Sequence, residues 1–278
     1  MLGLVACILL VLDGVRLVRD NRDDHTSAST GEPTALPSAP SSSPSEILSG
    51  DPQPSALPSE PETQGSQATE PLSKPASNSR GAKLASLLGQ VQVIPRRPNV
   101  DGYDRSCSPR AGCVFGTAWN DATSAPLGHN GCDTRNDVLR KDLSDIVIKP
   151  DTNGCLVLSG VLDDPYTGRT IRFQRGYETS LAVQIDHLIP LAAAWDLGAW
   201  KWSQSEREAF ANDVTHELLA ADGPSNMAKS DSTPASWLPP NKAFRCEYGV
   251  RYVEASIEWQ LPVTAADVEV LKHLVPKC

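Results

Sequence analysis

The stretch VQIDHLIPLAAAW, residues 183–195, decides how the chain is read. Val183 and Ile185 alternate with polar neighbours, the period-two pattern of a short strand with one buried face. Pro190 ends that strand, and residues 191–195 restart as an apolar helical turn. Asp186 and His187 therefore fall side by side at a strand end, where a carboxylate oxygen and an imidazole nitrogen can reach one small volume. Metal-assisted hydrolysis needs that pair: a hard oxygen for a cation, and a base that works near neutral pH.

A second segment carries complementary groups. Residues 217–221 (ELLAA) form a short apolar piece, strand or helix, and Asp222-Gly223-Pro224 is a turn. Residues 225–230 (SNMAKS) are expected to form a short helix capped near Ser225. On it, Asn226 and Lys229 are three apart and share a face. Asn226 offers a neutral oxygen ligand beside a carboxylate, and Lys229 a cation for a phosphate oxygen. Of the other histidines, His25 lies in a Ser/Pro-rich spacer, His129 in a glycine-rich loop, His216 between Thr and Glu, and His273 near a helix end. Only His187 follows a carboxylate at the end of an apolar strand.

Around these segments the pattern is mixed. Residues 82–88 have helical spacing. A helix from Asp133 or Thr134 to Leu143 carries Arg135 and Arg140, which are either phosphate contacts or ordinary surface charge. Residues 155–162 and 169–173, joined by DDPYTG, read as a β-hairpin. Ser203 and Glu206 have capping-box spacing for a helix to Asn212. A long amphipathic helix runs from Asn241, and a last helix covers 264–274 with Asp267 in its first turn. The fold class expected is α+β.

Composition divides the chain. Residues 27–79 are almost wholly Ser, Pro, Ala, Thr, Gly, Gln and Glu, too polar to offset chain entropy by burial, so 25–81 is expected to be a disordered linker. Residues 1–24 open with an apolar run short of a spanning helix and without a basic n-region. They are read as a truncated signal or membrane anchor whose start lies upstream. The folded domain is 82–278. The whole chain carries a net charge of −9, which speaks against tight non-specific nucleic-acid binding unless a local basic groove or a bound cation offsets the average. None of the seven cysteines forms C-x-x-C, so a zinc ribbon or thioredoxin-type pair is excluded. Six lie in the folded part, an even number suited to an exported domain. Fifteen pairings are open; the favoured set is Cys107–Cys113, Cys132–Cys155 and Cys246–Cys278.

DHLIPL followed by NMAKSD resembles the ββα-metal core of the HNH endonucleases. It is similar to the HNH domains of CRISPR effectors, and more closely to the C-terminal nuclease domain of GmrSD-type restriction systems. YDR (103–105), CDTRNDVL (132–139), DPYTG (164–168), FAND (210–213), WLPP (237–240) and FRCEY (244–248) resemble exported HNH-family proteins of actinobacteria. The resemblance covers about 82–278 and implies a disulfide-stabilised HNH domain, a ββα-metal core with a β-hairpin and surrounding helices. It implies that Asp186 and Asn226 are metal ligands, His187 the general base, and Lys229 the family's basic residue. The motif's final His is absent here, as in the asparagine-ending variants. The function so implied is hydrolysis of DNA, or of RNA, with Mg2+ and Mn2+ as the candidate metals. The setting is secreted or surface-anchored, bacterial and extracytoplasmic, with membrane association through the N-terminus. A non-catalytic cell-surface or wall-binding module is the alternative, and a secreted toxin nuclease a third reading.

Overall fold

The computed structural model describes residues 77–278. The signal or anchor expected at 1–24, and residues 25–76 of the linker expected at 25–81, lie outside the described residues; residues 77–81 of that linker are instead the first turn of a helix. Among the described residues no helix is long and apolar enough to cross a membrane.

The elements run in this order. α1 is Ser77–Leu88 and β1 Val93–Ile94; after a long loop come α2, Thr134–Asp142, and β2, Ser144–Ile148. β3, Val157–Asp163, and β4, Thr170–Gln174, form the expected hairpin. β5 is Val183–His187, followed by α3, Leu191–Leu197, and α4, Gln204–Ala211. β6, Leu218–Asp222, leads directly into α5, Gly223–Lys229. α6 is Arg245–Glu258, β7 Val263–Thr264 and α7 Ala265–Leu274. The fold is mixed α and β, with three small sheets: β1 parallel to β7, β2-β3-β4 antiparallel, and β5 antiparallel to β6.

Local chemistry explains most of the boundaries. Asp133 caps α2 by accepting from the Asn136 amide at 2.9 Å. Ser203 and Glu206 close a capping box at α4, and Thr264 and Asp267 another at α7. α5 starts earlier than its sequence suggests. Its cap is Asp222, which accepts from the Ser225 amide at 2.9 Å, and Pro224 sits in the first turn, where its missing N–H costs nothing. α6 starts later, at Arg245. Asn241 is occupied instead with the turn after β3, donating its side chain to the Pro165 carbonyl at 3.0 Å. β2 has no counterpart in the sequence-based reading, because its side chains are mostly exposed and show no alternation.

The β5–β6 ribbon is packed on both faces. Val183, Ile185, Leu218 and Ala220 join Val138, Leu139, Val157 and Phe173 in one core. Leu219 and Ala221 meet Tyr166 and Tyr248 on the other side. A larger core joins α1, α3, α6 and α7. The three disulfides are those favoured from the sequence: Cys107–Cys113, Cys132–Cys155 and Cys246–Cys278.

One glycine is fixed by close approach. A β-carbon on Gly223 would lie 2.0 Å from the Leu181 carbonyl oxygen, so α5 can lie against the chain before β5 only because nothing projects there. Gly223→Ala is expected to displace the start of α5 and lower stability by about 1–3 kcal/mol, as overpacking does. Thermal unfolding of the variant against the native chain measures this.

Candidate active site

β5 pairs with β6 along one edge; its other edge forms the wall of a cavity of about 310 Å³. Gln184, Asp186 and His187 from β5, Asn226 and Ser230 from α5 and its C-cap, and Arg105, Trp119 and Arg135 line it. Two segments remote in sequence thus meet as expected. Asp186, His187 and Asn226 share one space, because β6 returns antiparallel to β5 and α5 follows it without a linker.

Asp186 is buried, and both its oxygens have donors. Lys229 Nζ bonds to Oδ1 at 2.9 Å, and the Tyr166 hydroxyl donates to Oδ2. Burial, then the Asp186 charge, pushes the Tyr166 phenol well up, so its hydroxyl stays a donor. Lys229 was expected to reach a phosphate. The structure instead buries it completely, and its ammonium also donates to the His187 carbonyl at 2.6 Å. An ammonium spent on two internal acceptors holds the end of β5 against α5 and neutralises Asp186; it does not face the cavity.

The imidazole of His187 has a fixed tautomer. Nε2 lies 3.0 Å from the carbonyl of Ala211, at the end of α4. A carbonyl only accepts, so Nε2 carries the proton, and Nδ1 keeps a lone pair with no protein partner among the described residues. Trp119 stacks on the ring, with centroids 6.1 Å apart and planes 19° from parallel. Burial lowers the His187 pKa to about 3; the charges of Arg105 and Lys229 push the same way, and the Ala211 bond opposes them.

Asn226 donates Nδ2 to Gln184 Oε1 at 2.9 Å, which fixes the amide and leaves its oxygen with no protein donor among the described residues. Glu217 supports the turn after His187: its carbonyl accepts from the Leu188 amide at 2.9 Å, and its Oε1 accepts from the Ile189 amide at 2.8 Å. Burial pushes its carboxyl well above the usual carboxylate range. Asp164, in the turn between β3 and β4, accepts from the Asp222 amide at 2.9 Å and so ties the Tyr166 turn to the start of α5.

The two arginines on α2 part company. Arg135 lines the cavity and donates to the Val183 carbonyl at 3.0 Å. Arg140 is absent from the lining and lies 3.8 Å from Asp137, so it is surface charge. Arg105, Trp119, Tyr166 and Glu217 escaped the sequence reading. Arg105 and Tyr166 stand in YDR and DPYTG, motifs that carry the family resemblance without assigning either side chain a role.

As a cation site, the wall offers two hard oxygens, the Asp186 carboxylate and the Asn226 amide. No group of three His, Cys, Asp or Glu residues suited to a metal occurs among the described residues. Two protein oxygens and a roomy, open cavity fit Mg2+, which keeps several waters and takes one or two carboxylates alongside substrate oxygens. They do not fit an ion that demands an all-protein cage.

The chain is thus an α+β domain with a strand–strand–helix unit that gathers Asp, His and Asn on one cavity. Residues 133–274, just over half of the chain, match the family of GmrSD restriction endonucleases, C-terminal domain, and the chain belongs to that family. It is 31% identical over 209 residues to an uncharacterized secreted protein of Arthroderma benhamiae, a match that spans 75% of this chain and 91% of that one. No solved structure matches the chain. The secreted relative and the three disulfides fit an oxidising, extracytoplasmic setting.

Two outcomes test the geometry. In nitrogen-15 NMR the His187 ring should remain neutral and protonated on Nε2 as the pH falls from 8 to 5, whereas an unperturbed imidazole gains its second proton near 6.5. Lys229→Met leaves a buried carboxylate unpaired. It should cost about 3–5 kcal/mol in chemical unfolding, as breaking a buried pair does.

Proposed function

We propose that the chain is a metal-dependent endonuclease of the HNH type, hydrolysing phosphodiester bonds of DNA or RNA outside the cytoplasm, with β5, β6 and α5 as its ββα-metal core. One observation carries the reading: the Ala211 carbonyl commits Nε2 of His187, so its Nδ1 is left as a neutral base without a protein partner among the described residues, on a residue that lines the same cavity as Asp186 and Asn226.

In this reading Asp186 and Asn226 hold one divalent ion, Mg2+ or Mn2+. When bound, the ion stabilises the charge that develops on the phosphate and on the leaving oxygen. Lys229 and the Tyr166 hydroxyl fix the rotamer of the Asp186 carboxylate, so it meets the cation without reorganising. His187 accepts at Nδ1 the proton of the water that attacks phosphorus. Its low pKa keeps it unprotonated through the physiological range, at the cost of being a weaker base. Trp119 covers one face of the ring and restricts it to the orientation set by Ala211.

The surroundings suit a polyanion. The Asp186 charge is cancelled by Lys229, which leaves Arg105 and Arg135 as the net charge around the cavity. A basic cleft thus sits in an acidic chain, and it attracts phosphate whatever the sign of the average. The family model and the secreted relative support the same reading, the first for nucleic-acid hydrolysis and the second for the compartment. Surface anchoring would rest on the segment at 1–24.

The full chain, incubated with supercoiled plasmid and with single-stranded RNA in Mg2+ or Mn2+, should nick and then linearise or degrade its substrate, and EDTA should stop it. His187→Ala should slow cleavage by about 10²–10⁴-fold at a temperature where circular dichroism shows the variant still folded. Cleavage by the variant at the native rate removes His187 from the reaction. Inertness of the native chain towards every nucleic acid and metal removes the function.

A further inference from the structure

The wall of the cavity facing β5 is built by a segment that precedes the family match. Arg105 and Trp119 both line the cavity, and both lie before residue 133, where that match begins. Arg105 stands on a small loop of unusual construction. The Cys113 amide donates to the Ser106 carbonyl and the Val114 amide to the Asp104 carbonyl, each at 2.9 Å. The Asp104 carboxylate spans the loop, accepting from the Ser106 amide at 2.9 Å and the Gly112 amide at 3.0 Å. The Cys107–Cys113 disulfide closes it covalently.

The root of this loop is anchored and its tip is not. Tyr103 packs edge-on against Phe115, with ring centroids 6.3 Å apart. Gln204 and Arg207 of α4 donate to the Cys113 and Val114 carbonyls at 3.0 and 2.5 Å. Residues 105–110 beyond that root are exposed. Among the described residues, the Arg105 guanidinium has no carboxylate within ion-pair distance. It is hydrogen-bonded to the Tyr103 hydroxyl, and its charge is felt at the His187 ring. An arginine held beside the catalytic base, with most of its five donors unspent, suits a planar fork-to-phosphate contact.

We infer that Arg105 is a substrate-binding residue that grips a backbone phosphate of the nucleic acid, and that the Cys107–Cys113 bond is what presents it to the cavity. The inference rests on the phosphodiesterase reading above and adds to it a second consequence. The loop around the cross-link holds its arginine in place only while that bond is intact, so full substrate affinity belongs to the oxidised protein. Arg135 is the opposing contact across the cavity, already steadied by the Val183 carbonyl.

The test uses the full chain and three variants: Arg105→Ala, Arg105→Lys, and the double variant Cys107→Ser with Cys113→Ser. Binding of a fluorescein-labelled oligodeoxynucleotide is followed by anisotropy in EDTA over a range of salt, and cleavage kinetics are followed in Mn2+. Arg105→Ala should raise KM on the order of ten-fold, with kcat changed less, and should reduce the slope of log affinity against log salt by about one. Arg105→Lys should restore the slope but not the whole affinity, because an ammonium cannot make the forked contact. The double cysteine variant should reproduce the KM defect of Arg105→Ala with kcat near native, whereas a mere loss of folded protein lowers apparent kcat and leaves KM alone. A native KM and a native salt slope in Arg105→Ala overturn the phosphate contact, and a native KM in the double variant overturns the role of the disulfide. Absence of cleavage by the native chain strikes instead at the nuclease reading, while the salt slope still decides whether Arg105 meets a polyanion.

Discussion

The ion pair between Lys229 and Asp186 is the constraint on which the remaining geometry depends. Each group alone would be too costly to bury, and together they are tolerated because each is the other's partner and each has a further hydrogen bond. Lys229 reaches Asp186 and the His187 carbonyl at once. Tyr166 supplies the other carboxylate oxygen. Three parts of the chain, the hairpin turn, the edge strand and the short helix, are therefore locked at one point. Hydrophobic contact along the β5–β6 ribbon would allow small slips; a buried ion pair with directed hydrogen bonds does not. The pair costs stability compared with an apolar equivalent, and in exchange it specifies position.

The same neutralisation settles the electrostatic question raised by composition. A net charge of −9 would by itself predict repulsion of polyanions. That total does not describe the cavity. There the one carboxylate on the wall is cancelled from behind, and the flanking side chains that keep free charge are arginines. Average charge governs solubility and long-range repulsion; the field within a few ångströms of a cleft is set by the groups that line it.

Much of this architecture is legible in the sequence. The Val183–Ile185 alternation, the capping box at Ser203 and the hairpin around DDPYTG follow from local rules and stand in the structure, and the favoured disulfide set, one of fifteen pairings left open by the sequence, stands there too. So does the meeting of Asp186, His187 and Asn226, once ELLAA is taken as the returning strand. The role of Lys229 is not legible. Residues three apart on a helix are known to share a face, but not whether that face looks outward or inward, and here it looks inward. Tyr166 and Glu217 are missed for a related reason. Each acts through one long-range contact that leaves no periodic trace, and a tyrosine in a turn or a glutamate before a strand carries no local signal of burial. The left-handed backbone at Trp119, with φ of 60°, is equally silent, because it follows from the fold around it and not from the residue type.

The separation of Lys229 from Asp186 by 43 residues also bears on how the protein is made. A nascent chain exposes Asp186 and His187 well before it can supply the ammonium that lets the carboxylate leave water. The edge strand cannot settle until α5 has emerged and the loop between them has closed, and closing a loop of that length is an entropic cost met late. A half-synthesised chain thus lacks both the ammonium that fixes Asp186 and the helix that brings Asn226 to the same cavity.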